Sequence, residues 1–275
     1  MKTLVIILGE TRNNELTFDN FKKNVIDELN ADLCLCIGIK DDYDYYNPFY
    51  KLAKYKFLYN NDDYSGAFDY AYNNIINENK IENLNEKPLH WREFFIIKHQ
   101  FIRACNYVYN LFINDKPLHW KEFLKINNND NDSGVIQIYI RWLLLKNLKE
   151  FNLINKYDRF IITTNDYIYQ LPHPKIEKMS INNIWILNDE YSLGYTDKHV
   201  ILSKTNIIPY LNILNNIILN SNEYFYEMKY KYDWNIEQLI KFHLEKNNVN
   251  YLIKEFHCIM YSSKNNNEFY KDLDL

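Results

Sequence analysis

Short, continuously apolar runs alternate with segments of helical period along most of the chain. Residues 3–8 are apolar and rich in β-branched side chains, the pattern of a strand buried on both faces. Phe21, Val25, Ile26 and Leu29 then fall on one face of a helix that Thr17 or Asp19 can cap. Residues 32–39 repeat the buried-strand pattern. Strand, helix and strand in this order make a βαβ unit, which implies a right-handed crossover and a parallel sheet. Residues 54–59 read as a short strand, and 64–76 as a helix carrying Tyr64, Phe68, Tyr70, Ala71 and Ile75. A helix over 135–148 aligns Ile136, Ile140, Leu143, Leu144 and Leu148 in a stripe. Residues 160–163 are the next buried strand, 185–187 and 199–202 are shorter strands, 207–219 and 235–246 are helices, and 251–260 is the last strand.

This order predicts an α/β fold: a mixed sheet flanked by helices, with a helical insertion, in one domain over 1–275. The insertion covers roughly 74–134 and contains a duplicated element. Lys87-Pro88-Leu89-His90-Trp91-Arg92-Glu93-Phe94 returns as Lys116-Pro117-Leu118-His119-Trp120-Lys121-Glu122-Phe123. Two copies are too few for a solenoid; a repeated helix start with Pro near its first turn is the favoured reading, beside a pair of docking elements, and His90 and His119 would form a metal pair only if the fold brought the copies together. Residues 127–133 are polar and are expected to form a mobile loop.

Composition narrows the class. Of 275 residues, 47% are apolar and 25% charged, as in ordinary globular chains. The excess of Asn, Lys, Ile and Tyr (25 Tyr) suits an AT-rich genome, viral, protist or bacterial. A net charge of −4 argues against duplex nucleic acid as a partner. No apolar run reaches the roughly 20 residues that a membrane span needs. Residues 3–8 are too short for a signal-peptide core, so a cytoplasmic location is expected, host cytoplasm if the chain is viral. Cys34 and Cys36 would point to one face of a strand, and no Cys/His ligand set surrounds them, so buried free thiols are expected.

Candidate chemistry lies at strand ends. Residues 159–166 run from a buried strand into Thr164-Asn165-Asp166, and open α/β sheets bind ligands outside the carboxyl ends of their strands. An Asp there can hold a divalent cation against a diphosphate. Gly9-Glu10-Thr11-Arg12 follows the first strand, where backbone amides and an Arg suit a nucleotide, although neither GxGxxG nor a Walker loop is present. Gly194-Tyr195-Thr196-Asp197-Lys198-His199 puts charge on a Gly-containing loop. Asp233-Trp234-Asn235-Ile236-Glu237 opens a helix. His173 is held between Pro172 and Pro174, where a structural role is the commoner one.

In this order the segments resemble a nucleotide-sugar glycosyltransferase of the A-type (GT-A, Rossmann-like) fold, of a divergent viral or bacterial kind. The resemblance spans most of the chain through short motifs. Arg12 follows the first strand, and Gly134 and Arg141-Trp142 precede the central one. Thr164-Asn165-Asp166 stands where an Arg-Ser-Asp or Asp-x-Asp motif would be, Gly194 to His199 where Gly-x-x-Asp-Arg-His would be, and Asn235-Ile236-Glu237 supplies Asn-x-Glu. The resemblance implies a UDP- or GDP-sugar donor and a glycan or other hydroxyl acceptor. It implies Arg12, Asp41, Arg141, Thr164, Asn165, Lys198 and His199 near the donor. Asp166 and His257 would hold Mn²⁺ or Mg²⁺, and Asp197 or Glu237 would act as catalytic base. Two departures stand out. Thr164 replaces an acidic residue, which leaves metal dependence open, and Lys198 replaces an Arg, which keeps the charge and loses the fork.

Two other readings stay open. A nucleotidyltransferase uses a similar sheet but calls for a Gly-rich, more basic first loop. A non-catalytic carbohydrate- or protein-binding protein on a decayed transferase fold is compatible with Thr164 and with the many aromatic faces. Sugar, acceptor, stereochemical outcome and oligomeric state are not legible.

Overall fold

A computed structural model of the chain describes residues 1–61, 64–79, 133–188, 194–196, 198–220, 236–258 and 260–262. The duplicated element, Cys105, Asp197 and the polar segment at 127–132 lie outside these residues.

The apolar runs become strands because each is buried on both faces. β1 (Thr3–Gly9), β2 (Asp32–Ile39) and β3 (Tyr55–Asn60) pair in parallel, with Leu4 opposite Asp32 and Cys34 opposite Tyr55. β4 (Arg159–Thr163) adds in parallel to the other side of β1. β7 (His199–Ser203) is antiparallel to β4, while β6 (Ile184–Leu187) and β8 (Ile253–Phe256) again run with β4. The sheet has seven strands in the order β3-β2-β1-β4-β7-β6-β8. β5 (Tyr167–Tyr169) and β9 (Met260–Ser262) form a separate antiparallel pair. The fold is therefore α/β, a mixed and mostly parallel sheet flanked by helices, as the order of apolar runs predicts.

Side-chain alternation divides the core in two. Leu4, Ile6, Leu8, Cys34, Cys36, Phe160, Ile162, Val200 and Leu202 face one layer. Val5, Ile7, Leu33, Leu35, Ile37, Ile161 and Ile201 face the other. Each such side chain contributes about 1.5–3 kcal/mol when fully buried. Both Cys34 and Cys36 are buried free thiols on one face, and burial pushes both thiols up and keeps them protonated.

The second layer is covered by α1 (Asn14–Phe21), which continues through a π-helical stretch, Lys22–Asp27, and by α2 (Pro48–Leu52). Phe21, Val25, Ile26 and Leu29 form its inner face, as the periodicity predicts. The cap differs from expectation. The cap position is Asn13, at φ 51°, and Thr17 sits inside the helix with its hydroxyl donating to the Asn13 carbonyl at 3.0 Å. Asn tolerates that left-handed conformation better than Thr does.

The first layer is built from α3 (Tyr64–Glu78), α4 (Ser133–Glu150), α5 (Leu153–Lys156), α6 (Ile207–Leu211), α7 (Ile213–Leu219) and α8 (Ile236–Lys246). α4 is buried well beyond its predicted stripe: Ile138, Tyr139, Trp142 and Leu145 are also inside. It packs on β1, β2 and β3 on one side and on α3 and α7 on the other. A helix wrapped all round has no single apolar face to read. The continuous helix expected over 207–219 is broken at Asn212, whose backbone leaves helical geometry. The last predicted strand is also shorter. A 3₁₀ turn, Asn250–Leu252, precedes β8, and the chain beyond Phe256 leaves the main sheet to pair with β5.

β5 is pinned to α1 by side chains. Asn20 accepts from the Tyr169 amide at 2.7 Å and donates to its carbonyl at 3.0 Å. Asn24 donates to the same carbonyl at 3.3 Å, and its own backbone carbonyl accepts from the His173 amide at 2.8 Å. Asn20 thus stands in for a neighbouring strand. Asn20→Leu is expected to lose about 1–3 kcal/mol of stability, the usual cost of stranding buried backbone groups, measured by urea unfolding.

Candidate functional site

The chain crosses from β3 back past β1 to β4, and the connecting helices change face at the same point. α1 and α2 cover one side of the sheet, α3 and α4 the other. The crevice beyond the carboxyl ends of β1 and β4 is therefore the topological switch point, where open α/β sheets take ligands.

Both walls of that crevice are tied together. Asn165, fully buried just past β4, donates from Nδ2 to the Arg12 carbonyl at 2.5 Å. A carbonyl only accepts, so the amide orientation is determined. Its Oδ1 is buried and has no hydrogen-bond partner among the described residues. Arg12 reaches back with Nε to Glu10 at 2.5 Å, and Asn61 donates to the other Glu10 oxygen at 3.2 Å. The Arg12 hydrogen bond holds the Glu10 carboxyl below its ordinary range, helped by Asn61 and by the charge of Lys40. Gly9 turns the chain out of β1 at φ +118°, a conformation that favours glycine.

The loop after β2 closes the side. Thr11 shares a hydrogen bond with the Tyr43 hydroxyl at 3.0 Å and accepts from Asn47 Nδ2 at 2.9 Å. Asn47 also caps α2 through the Phe49 amide at 2.9 Å. Tyr43, Tyr45 and Tyr50 pack edge-on, with centroids 5.3–5.9 Å apart. Glu10, Thr11, Asn47, Asn61 and Tyr43 were not singled out by sequence reasoning. Glu10 and Thr11 were legible only as part of the loop after β1, and the others carry no spacing signal.

The sequence candidates fall as follows. Arg12, Thr164, Asn165 and Asp166 lie at the crevice, and Asp41 lies in the exposed turn at the end of β2. Lys198 borders it, half-buried, with its carbonyl accepting from the Thr163 hydroxyl at 3.1 Å. Arg141 is fully buried on α4, its Nη1 donating to the Gln137 carbonyl and to Gln137 Oε1, both at 2.8 Å. Gln137 in turn comes within 3.9 Å of where a Cβ on Gly9 would lie, so Arg141 stands behind the β1 end. His199 starts β7 at this edge, but its ring is fully buried among Thr163, Tyr169 and His173. His257 lies just past β8, exposed, rather than on the last strand.

Glu237 opens α8, and its carbonyl accepts from the Tyr195 amide at 3.2 Å. A Cβ on Gly194 would meet the Glu237 backbone at 2.3 Å. The Gly-containing loop and the helix start therefore touch. Asp197, between them in the predicted chemistry, lies outside the described residues.

Asp166 and His257 do not gather into a metal-ligand set: among the described residues no three His, Cys, Asp or Glu side chains do. No helix among the described residues is long and apolar enough to cross a membrane.

No protein-family model matches the sequence, and no curated protein matches it. Among solved structures the chain is similar to mouse xyloside xylosyltransferase 1 in its apo form, at 7% identity and a TM-score of 0.40, over 93% of this chain and 84% of that one. It is also similar to a transferase carrying two cysteine-to-serine substitutions, at 10% identity and a TM-score of 0.33, over 94% and 93% of the two chains. At these scores the fold assignment rests on strand order and direction, not on the likenesses.

Gly194→Ala is expected to separate the loop from α8 and to destabilise the chain by about 1–3 kcal/mol, read by thermal and urea unfolding. Acid has a separate signature. Burial holds His173 and His243 down at about 4 and His199 well below its ordinary value. Below the ordinary 6.5 the unfolded chain takes up protons that the native chain refuses until about 4. Stability is expected to be full above that ordinary value and to drain as pH falls toward about 4. His243→Gln, which can still donate to the Pro209 carbonyl, is expected to flatten part of that loss in urea titrations.

Proposed function

We propose that the chain is a glycosyltransferase that moves a sugar from a nucleotide-diphosphate donor to a hydroxyl acceptor. One observation carries the reading. The switch-point crevice is lined on one wall by the Arg12 loop and on the other by residues 164–166, and Asn165 locks the two together. A crevice of this kind holds a phosphate-bearing ligand between a cation and oriented amides.

In this reading Arg12, as a fork, and Lys198, as a point charge, face the diphosphate, and the Asp41 turn faces the nucleoside. Glu10 orients the Arg12 fork, because its carboxylate holds Arg12 Nε. Asp166 lies on the diphosphate wall. A divalent cation, when bound, would neutralise charge on the leaving diphosphate, and its remaining ligands would come from the phosphates or from outside the described residues. Glu237 or Asp197 takes the proton from the acceptor hydroxyl. Tyr45 and Tyr46, exposed on the loop after β2, suit stacking on sugar rings or on a base.

A thermal-shift screen with UDP- and GDP-sugars, with and without Mn²⁺, tests this. A ligand at a hundred times its Kd raises stability by about 2.7 kcal/mol. A donor-specific rise in Tm is expected, and Asp166→Ala is expected to remove transfer or donor hydrolysis while leaving the unfolding midpoint of the free chain near that of the parent. Flat melting curves with every nucleotide would turn the assignment toward a non-catalytic binding protein.

A further inference from the structure

Directly behind this edge, on the α1 side of the sheet, lies a buried polar chain that the proposed chemistry does not use. His173 and His199 are 1% and 0% exposed, with their Nε2 atoms 3.1 Å apart. His173 Nδ1 is 2.8 Å from the Pro174 carbonyl oxygen. His199 Nδ1 is 3.1 Å from the Thr163 hydroxyl and 3.3 Å from the Tyr169 hydroxyl.

Elementary donor and acceptor rules assign every proton. The Pro174 carbonyl only accepts, so His173 carries its proton on Nδ1. In a neutral ring Nε2 is then bare and accepts, so His199 carries its proton on Nε2. His199 Nδ1 is bare in turn and accepts from Tyr169, while the Thr163 hydroxyl donates to the Lys198 carbonyl at 3.1 Å. The donors all point one way, from Tyr169 through His199 and His173 to Pro174. An extra proton breaks this chain, even though on His199 Nδ1 it would find the Thr163 oxygen as an acceptor. On His173 Nε2 it would set two N–H groups head to head at 3.1 Å. On His199 Nδ1 it would take away the acceptor of the Tyr169 hydroxyl.

The surroundings give little to offset a charge. The helix end beyond the π-helical stretch presents Glu28, already paired with Lys175. Burial raises the Tyr169 hydroxyl's affinity for its proton, helped by Cys258 from the segment after β8 and Tyr167 from β5. Lys198, the residue before β7, contributes its carbonyl, and β8 the Phe256 ring, 5.5 Å from His199.

We propose that His199 and His173 are positioning residues for the 164–166 segment. Their neutral chain lies against Thr163 immediately before that segment and accepts from the Tyr169 hydroxyl shortly after it, and proton uptake by either ring breaks the Tyr169 bond and so releases the segment. Asn20 and Asn24 anchor Tyr169 from α1, so the clamp has a fixed outer jaw. Calling the segment a diphosphate wall rests on the function proposed above; the clamp does not.

The test uses the full chain labelled with ¹⁵N-histidine. Long-range ¹H–¹⁵N spectra at about pH 7 are expected to show His173 as the Nδ1–H tautomer and His199 as the Nε2–H tautomer. The opposite tautomer in either ring, or a charged ring under these conditions, overturns the proposal. Amide exchange then reads the clamp. His173→Phe leaves the His199 N–H without an acceptor and is expected to speed exchange at Asn165 and Asp166 about tenfold, with β2 unchanged. His173→Gln, whose amide both accepts and donates, is expected to keep the protection. Equal exchange in His173→Phe and the parent overturns the clamp.

If His173→Phe does not fold, the parent chain decides. Between about pH 7 and about pH 4.5, exchange corrected for its intrinsic rate is expected to rise at 164–167 before it rises in β2. A uniform rise overturns the clamp. Thermal shifts with UDP and GDP separate the two readings. If neither shifts the parent, the proposed function fails while the spectra still decide the clamp. If both shift the parent and His173→Phe equally, the clamp does not position the edge.

Discussion

Strand β1 is hydrogen-bonded on both edges and buried on both faces, and the candidate site is defined by where its backbone stops. β2 is registered on one side of it and β4 on the other. Gly9 releases the chain at the top, and the Arg12 loop folds over toward the end of β4. A shift of β1 by one residue would exchange the two core layers, because successive side chains serve opposite faces. It would also pull Arg12 away from Asn165. Core packing and site geometry are set by the same register.

The polar groups around that edge are layered. Outermost are Arg12, Asp41 and Lys198, exposed or half-exposed. Beneath them Glu10, Asn61, Thr11, Asn47 and Asn165 hold backbone and side chains in place through hydrogen bonds. Deepest are the histidine pair and Tyr169, which face the α1 layer. Asn carries much of the second layer. Its amide both donates and accepts, so it can bridge two elements without burying a charge.

The strand and helix order was legible, because apolar periodicity is a local property. β1, β2 and β4 begin and end within a residue of their expected bounds. Most errors came where a long-range contact decided. α4 shows no single apolar face because the sheet and α3 enclose it. The chain after Phe256 leaves the main sheet because β5 offers it a partner. The Thr17 cap failed because the backbone turned at Asn13 instead.

Of the site, the sequence by itself determined which residues stand at strand ends. Arg12, Thr164, Asn165 and Asp166 follow buried runs, and in parallel strands such positions share one edge, which Lys198 joins because β7, the strand it precedes, runs antiparallel. Only the tertiary structure decided what each does there. It turned His199 inward, left His257 outside, put Arg141 behind Gly9 and joined His173 to His199 across many residues of chain. The physical reason is that a hydrogen bond between distant segments depends on the orientation of both. One sequence carries the donors and acceptors, but only packing brings them within 3.1 Å.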